Sequence, residues 1–215
     1  MTGSGLSRRD AVGLGAVAIG AAGLGAWLRR GVPLGEDISG SLDVAELAGA
    51  PGFPVEGPQD APVTMLVFSD YACGVCRQVE PWWRAALRKA GDVRAVHRDW
   101  PILGPDSRRA ARIALAADRQ GRYLAVHDAL MGGAGPDMGA ARGALERAGG
   151  DWARLEADLA DHAGAIDALL ARTTQDALRL GFNGTPGFLI GPIRILGGAS
   201  ERQFANAIER ARGAR

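Results

Sequence analysis

Two cysteines, Cys73 and Cys76, stand three positions apart in the stretch FSDYACGVCRQVEPWW, and the 215-residue chain has no others. Thiols at this spacing can exchange a disulfide with other thiols, supply half of a zinc site, or be two small buried residues. A structural zinc ion takes four nitrogen or sulfur ligands. Histidines or carboxylates would have to complete such a set, and His97, His127 and His162 have no supporting spacing. A purely structural disulfide over so short a loop would remove little entropy from the unfolded chain. Redox chemistry fits the surroundings best. The run VTMLVFS, 63–69, is nearly continuously apolar, as a buried strand is. From Arg77 to Ala90, Val79, Trp82, Trp83, Ala86 and Leu87 recur at helical spacing, and Gly91 stops the helix. Cys73 is therefore expected where a strand ends and a helix begins, beside unpaired N–H groups and the positive end of the helix dipole. Both favour a thiolate. Cys76 falls one turn later on the same face, near enough to close a disulfide to Cys73. An activated sulfur with a second sulfur behind it is what thiol–disulfide exchange needs.

The elements that hold this pair follow from the pattern around it. VRAVHRDW, 93–100, alternates as a strand does, so strand, helix and strand form a βαβ unit. From Pro105 the chain becomes rich in Ala and Arg with helical period. Four or five short helices are expected from about 106 to 180, with Asp106 and Asp151 as N-caps and a break at Gly149-Gly150. In GFNGTPGFLIGPIRILGG, residues 188–190 and 193–196 read as strands around a Gly191-Pro192 turn. A capping box at Ser200 opens a last helix to about Ala211. The fold class is α/β, with helices on both faces of a small mixed sheet.

The chain is 47% hydrophobic and 23% charged with a formal charge of +1, a balance for one globular domain with no mark of a nucleic-acid binder. Its N-terminus carries Ser7-Arg8-Arg9-Asp10 and then an uncharged run from Ala11 to Leu28. This is the build of an export signal, and the pair Arg8-Arg9 resembles a twin-arginine one. Eighteen residues at ~1.5 Å each would also suffice for an uncleaved anchor. Either way the remainder is expected on the periplasmic or extracytoplasmic face, where a disulfide persists. Residues 31–60, rich in Gly, Pro and acids, read as a linker and leader. The order along the chain is βαβ over 61–104, a helical block over 105–181 and ββα over 182–212.

FSDYACGVC, the block HRDWPILGPDSRRAARIALAADRQGRYLAVHDALM and GTPGFLIG, in this order and spacing, resemble the DsbA-like branch of the thioredoxin-fold proteins. The likeness spans about 55–212. It implies a thioredoxin fold with an inserted α-helical domain, Cys73 as nucleophile and Cys76 as resolving cysteine. It further implies that Thr185-Pro186 is a cis-proline loop lying over the cysteines, where Thr185, Pro186, Gly74 and Val75 would meet substrate; Tyr71 reads first as packing beside the motif and second as lining the substrate groove. No cofactor is implied beyond the Cys73–Cys76 disulfide itself. The implied partners are cysteine-containing exported proteins and a membrane redox protein of the DsbB or DsbD type. A monomer is expected.

Three departures bear on the direction of electron flow. Gly74-Val75 stands where the strongly oxidising member has Pro-His, so a less oxidising disulfide is expected. Val67 stands where many relatives keep a buried acid, which leaves Asp70 and Glu80 as proton-transfer candidates. Thr185 is more usual in isomerase and reductase relatives. An oxidase is the primary reading, and a reductase or isomerase the second. A non-catalytic peptide-binding module is the third. Trp82, Trp83, Trp100 and Trp152 read as packing, the three histidines as surface or structural, and Arg108-Arg109-Arg112 as a solvated helix face.

Overall fold

The computed structural model describes residues 34–40 and 44–214. Arg8, Arg9 and the apolar run lie outside them. Among the described residues no helix is long and apolar enough to cross a membrane. The central βαβ unit is β3 (Val63–Ser69), α2 (Gly74–Ala90) and β4 (Val93–Asp99). Gly91 ends α2 at φ 73°, a left-handed backbone that a Cβ would disfavour. Five helices follow, α3 (Pro105–Asp118), α4 (Tyr123–Gly132), α5 (Met138–Arg147), α6 (Trp152–Asp161) and α7 (Ala163–Arg179). The chain then returns as β5 (Gly187–Ile190), β6 (Ile193–Leu196) and α8 (Glu201–Gly213). The Ser200–Gln203 capping box opens α8.

One six-stranded sheet runs β1-β6-β5-β3-β4-β2, parallel between β3 and β4 and antiparallel elsewhere. The two-residue period of β3 divides its side chains between two cores. Val63, Met65 and Val67 pack with Trp83 of α2 and Phe204 of α8. Leu66 and Phe68 face the other way, onto Trp100, Leu180 and Phe182. A third core fills the helical insert, and Tyr71, Cys73 and Cys76 belong to it. The cysteine pair thus sits at the seam between sheet and insert.

Residues 34–60 correct the expectation of a linker. They supply β1 (Glu36–Asp37), α1 (Val44–Gly49) and β2 (Val55–Glu56), and the two strands close the sheet's edges against β6 and β4. The composition hid this because Ile38, Leu47 and Phe53, which bury themselves on the sheet, are widely spaced. The caps also differ in part. Asp151 caps α6 by accepting from the Arg154 N–H. Asp106 does not cap α3, because Pro105 occupies the first helical position with Gly104 at the cap. An unforeseen cap, Asp137, accepts from the Gly139 and Ala140 N–H groups.

The insert is tied to the sheet by a buried charge. Arg98 of β4 is fully buried, pairs with Asp176 of α7, and lies 3.7 Å from the Phe53 ring centroid. Burial pulls the guanidinium down to about 10, and Asp176 opposes that shift. Removing the carboxylate alone strands a cation in the core. Asp176→Ala is expected to cost about 3–5 kcal/mol in chemical denaturation. Arg98→Met combined with Asp176→Leu is expected to recover most of that loss.

Candidate active site

β3 ends at Ser69, and a tight turn delivers Cys73 to the start of α2. Cys73 is the N-cap, with extended backbone at φ −77°, ψ 114°. Its sulfur accepts the Cys76 N–H at 3.2 Å, and no acid stands in the helix's first turn. The helix dipole and an otherwise unpaired N–H therefore meet at this sulfur and stabilise negative charge there.

Asp70 builds the turn. Its Oδ1 accepts from the Ala72 N–H at 2.8 Å and from the Ser107 hydroxyl. Its Oδ2 accepts from the Ile102 and Leu103 N–H groups at 2.8 and 2.9 Å. The carboxylate is buried with four donors on it, so it clamps the loop after β4 to the cysteine turn. That occupancy removes Asp70 from the proton-transfer candidates.

The two sulfurs differ in access. Cys73 retains 7% of its exposure and Cys76 1%. Burial pushes the Cys76 thiol well above its usual range, and its contact with Cys73 pushes it further. The Thr185–Pro186 peptide is cis, and the Thr185 carbonyl accepts from the Cys73 thiol at 3.5 Å. The Pro186 carbonyl accepts from the Gly197 N–H at 2.9 Å. Gly187, next in line, has no room for a side chain, since a Cβ would fall 2.7 Å from the Phe182 ring. Gly74 and Val75 are exposed between the cysteines.

Tyr71 packs beside the motif, and its second reading as a substrate contact is corrected. It is 1% exposed, and its hydroxyl lies 2.9 Å from His127 Nδ1. It belongs to a buried polar network beneath the cysteine turn. The Tyr123 hydroxyl donates to Asp99 Oδ1 at 3.0 Å and lies 3.3 Å from the Tyr71 hydroxyl. On the far side His127 Nε2 meets Glu80 Oε1 at 3.0 Å, and the Trp83 N–H donates to Glu80 Oε2 at 2.9 Å. Arg84 then joins Glu80 to Glu56 and Asp128 at the surface. With its proton on Nε2, toward Glu80, His127 accepts from Tyr71 on Nδ1; the Tyr71 and Tyr123 hydroxyl protons then go to His127 and Asp99, and the two hydroxyls touch with no proton left to share.

Burial sets the protonation of this network, and local charge corrects it. Burial alone would raise Glu80, but the His127 hydrogen bond and the Arg84 charge hold it below the ordinary carboxylate range. Burial lowers His97 to about 4, so the ring is neutral. Burial raises Asp99 to about 6 against the pull of His127 and Tyr123. Its Oδ2 has no hydrogen-bond partner among the described residues. Val67, where an acid was sought, lies in the apolar core under α2.

Sequence reasoning missed Asp99, Tyr123 and the role of His127. The signal for His127 was its place in a helical stripe with Tyr123, Val126 and Leu130, all buried. Polar residues in such a stripe need partners. His97 and Asp99 are likewise two apart on a buried strand.

A family model described as thioredoxin matches residues 50–210. A thioredoxin-like oxidoreductase from Silicibacter pomeroyi DSS-3 is 36% identical, with a TM-score of 0.74, over 81% of this chain and 100% of that one. The thiol-disulfide exchange protein alpha-DsbA2 from Wolbachia pipientis shares the fold at 24% identity and a TM-score of 0.71, over 77% and 90% of the two chains. A periplasmic thioredoxin-like protein from Salmonella enterica serovar Typhimurium is 25% identical with a TM-score of 0.64, over 79% and 97%. Two curated relatives are Na(+)/H(+) antiporters, NhaA 1 of Salinispora arenicola and NhaA 3 of Salinispora tropica, each 34% identical. The matches cover 63% and 75% of this chain but only 21% and 26% of those proteins, so the chain spans a fifth to a quarter of their length.

The Asp99 carboxyl fixes the sign of one pH effect. Its folded-state value is raised, so its contribution to stability is complete below about 3.8 and is lost as pH rises through about 6. Asp99→Asn carries no such loss. Relative to the parent, the variant is expected to gain stability between pH 4 and pH 8, by up to about 3 kcal/mol. Urea unfolding across that range checks this, and a difference that does not vary with pH would contradict it. Comparing the two proteins cancels His97, whose lowered value acts oppositely.

Proposed function

The chain belongs to the thioredoxin family in its DsbA-like form, and on that premise we propose that it is an extracytoplasmic thiol–disulfide oxidoreductase acting as a disulfide donor. The observation that carries this reading is Cys73 at the N-cap, with the Cys76 N–H on its sulfur. Whatever stabilises the reduced, charged sulfur makes the disulfide a stronger oxidant.

The chemistry starts from a Cys73–Cys76 disulfide. A substrate thiolate attacks the Cys73 sulfur, a new S–S bond forms, and the Cys73–Cys76 bond breaks. Its electron pair leaves on the Cys76 sulfur, which takes a proton and stays a thiol, as its burial favours. A second substrate thiolate then attacks the substrate sulfur and releases Cys73 as a thiolate. The substrate gains a disulfide and the protein gains two electrons. The Thr185 carbonyl meets the Cys73 sulfur, and the Thr185-Pro186 loop with Gly74 and Val75 is the proposed substrate platform. A membrane redox protein of the DsbB type would take the electrons, and one of the DsbD type would serve the reverse direction. Arg8-Arg9 with the following apolar run supports export, and the Salmonella relative's description as periplasmic agrees with it.

The direction is tested by equilibrating the full-length chain with glutathione buffers. A reduction potential near or above about −150 mV is expected for a donor, since strong oxidants lie near −120 mV. A potential near −250 mV would reverse the direction and make the protein a reductase or isomerase.

A further inference from the structure

A groove of about 660 Å³ begins at Gly74, beside the nucleophile, and runs along α2 to Arg88. Its opposite wall is the end of α4, at Asp128, Met131 and Gly133. Three arginines line it, in different states. Arg84 is neutralised by Glu56, Glu80 and Asp128. Arg77 is held by two neutral groups, the Tyr71 carbonyl at 2.7 Å and the Ala134 carbonyl at 2.9 Å, and meets no carboxylate among the described residues. Its charge is fixed in place and not cancelled. Arg88 is exposed and likewise has no carboxylate partner among the described residues. The uncompensated N-terminus of α2 adds positive potential at the end nearest Cys73.

We propose that this groove receives an acidic segment of the substrate polypeptide, beside the cysteine that reacts with Cys73. The inference rests on the exchange chemistry proposed above and names a substrate class for it. The spacing is set by α2. At ~1.5 Å per residue, Arg77 lies about 5 Å along the helix from Gly74 and Arg88 about 20 Å. An extended peptide advances ~3.3 Å per residue, so Arg77 meets a side chain about two residues from the substrate cysteine, and Arg88 one about six away. Pro81 and Met131 give the stretch between them an apolar lining.

The test uses the full-length chain in its disulfide form and short single-cysteine peptides. One carries Glu two residues before the cysteine, one carries it two residues after, and a third carries Gln at both places. The rate of mixed-disulfide formation is read for each and divided by that peptide's rate with a small aromatic disulfide, which removes differences in thiol acidity. A preference of about two- to fivefold for one Glu peptide over the Gln peptide is expected, as for one solvent-accessible ion pair. It should shrink toward unity between 0.1 and 1 M salt, as the screening length falls from about 10 to about 3 Å. The same ratio, taken within Arg77→Gln and within Arg88→Gln, tests the arginines. Arg77→Gln should abolish it, and Arg88→Gln should leave most of it for an acid this close to the cysteine. Exchange with all peptides and no charge preference, or a preference indifferent to salt and to Arg77→Gln, overturns the groove and leaves the exchange reading intact. No exchange with any peptide overturns both.

Discussion

The contact between the Cys76 N–H and the Cys73 sulfur is the constraint on which the site depends. A sulfur can occupy an N-cap only if the preceding strand ends within reach of the helix start and the turn between them is fixed. β3 supplies the strand end, and Asp70 supplies the fixing, with four donors on one buried carboxylate. The same constraint separates the sulfurs. The cap position leaves Cys73 the more accessible of two buried sulfurs, at 7% exposure, and one helical turn takes Cys76 down to 1%. The Thr185 carbonyl completes the arrangement from the far half of the chain, so strands distant in sequence meet over one sulfur.

Beneath the turn the protein tolerates polar burial that a plain apolar core would avoid. Leaving any one member unpartnered would cost about 1–3 kcal/mol, and more for a charge. Tyr71, Tyr123, His127, Asp99 and Glu80 satisfy one another nearly completely, and Arg84 carries the chain of contacts outward. The insert contributes Tyr123 and His127, while the sheet and α2 contribute the acids. The two layers are therefore held in one orientation at the seam where the cysteines lie, and Arg98 with Asp176 repeats the device on the opposite face of the sheet.

Much of this was legible in the sequence, for reasons that can be named. β3 over 63–69 and β6 over 193–196 follow from apolar runs bounded by turn residues, and the α8 cap from Ser200-x-x-Gln203. The cysteine spacing showed a helix start because Cys73 had to follow the strand directly. The polar partner of Tyr71 was not legible, because a hydroxyl buried on a histidine fifty-six residues away leaves no local trace. Residues 34–60 were misread because three separated apolar side chains carry their docking. Asp70 was misassigned for a related reason: its donors come from a loop some thirty residues on.

The central claim is that one helix start makes two chemically unequal thiols. The most direct measurement is alkylation of the reduced, full-length protein at neutral pH, with the modified cysteine located by peptide mass mapping over time. The account predicts rapid modification of Cys73 and none of Cys76 until the protein unfolds. Equal rates at the two positions, or modification of Cys76 first, would contradict it.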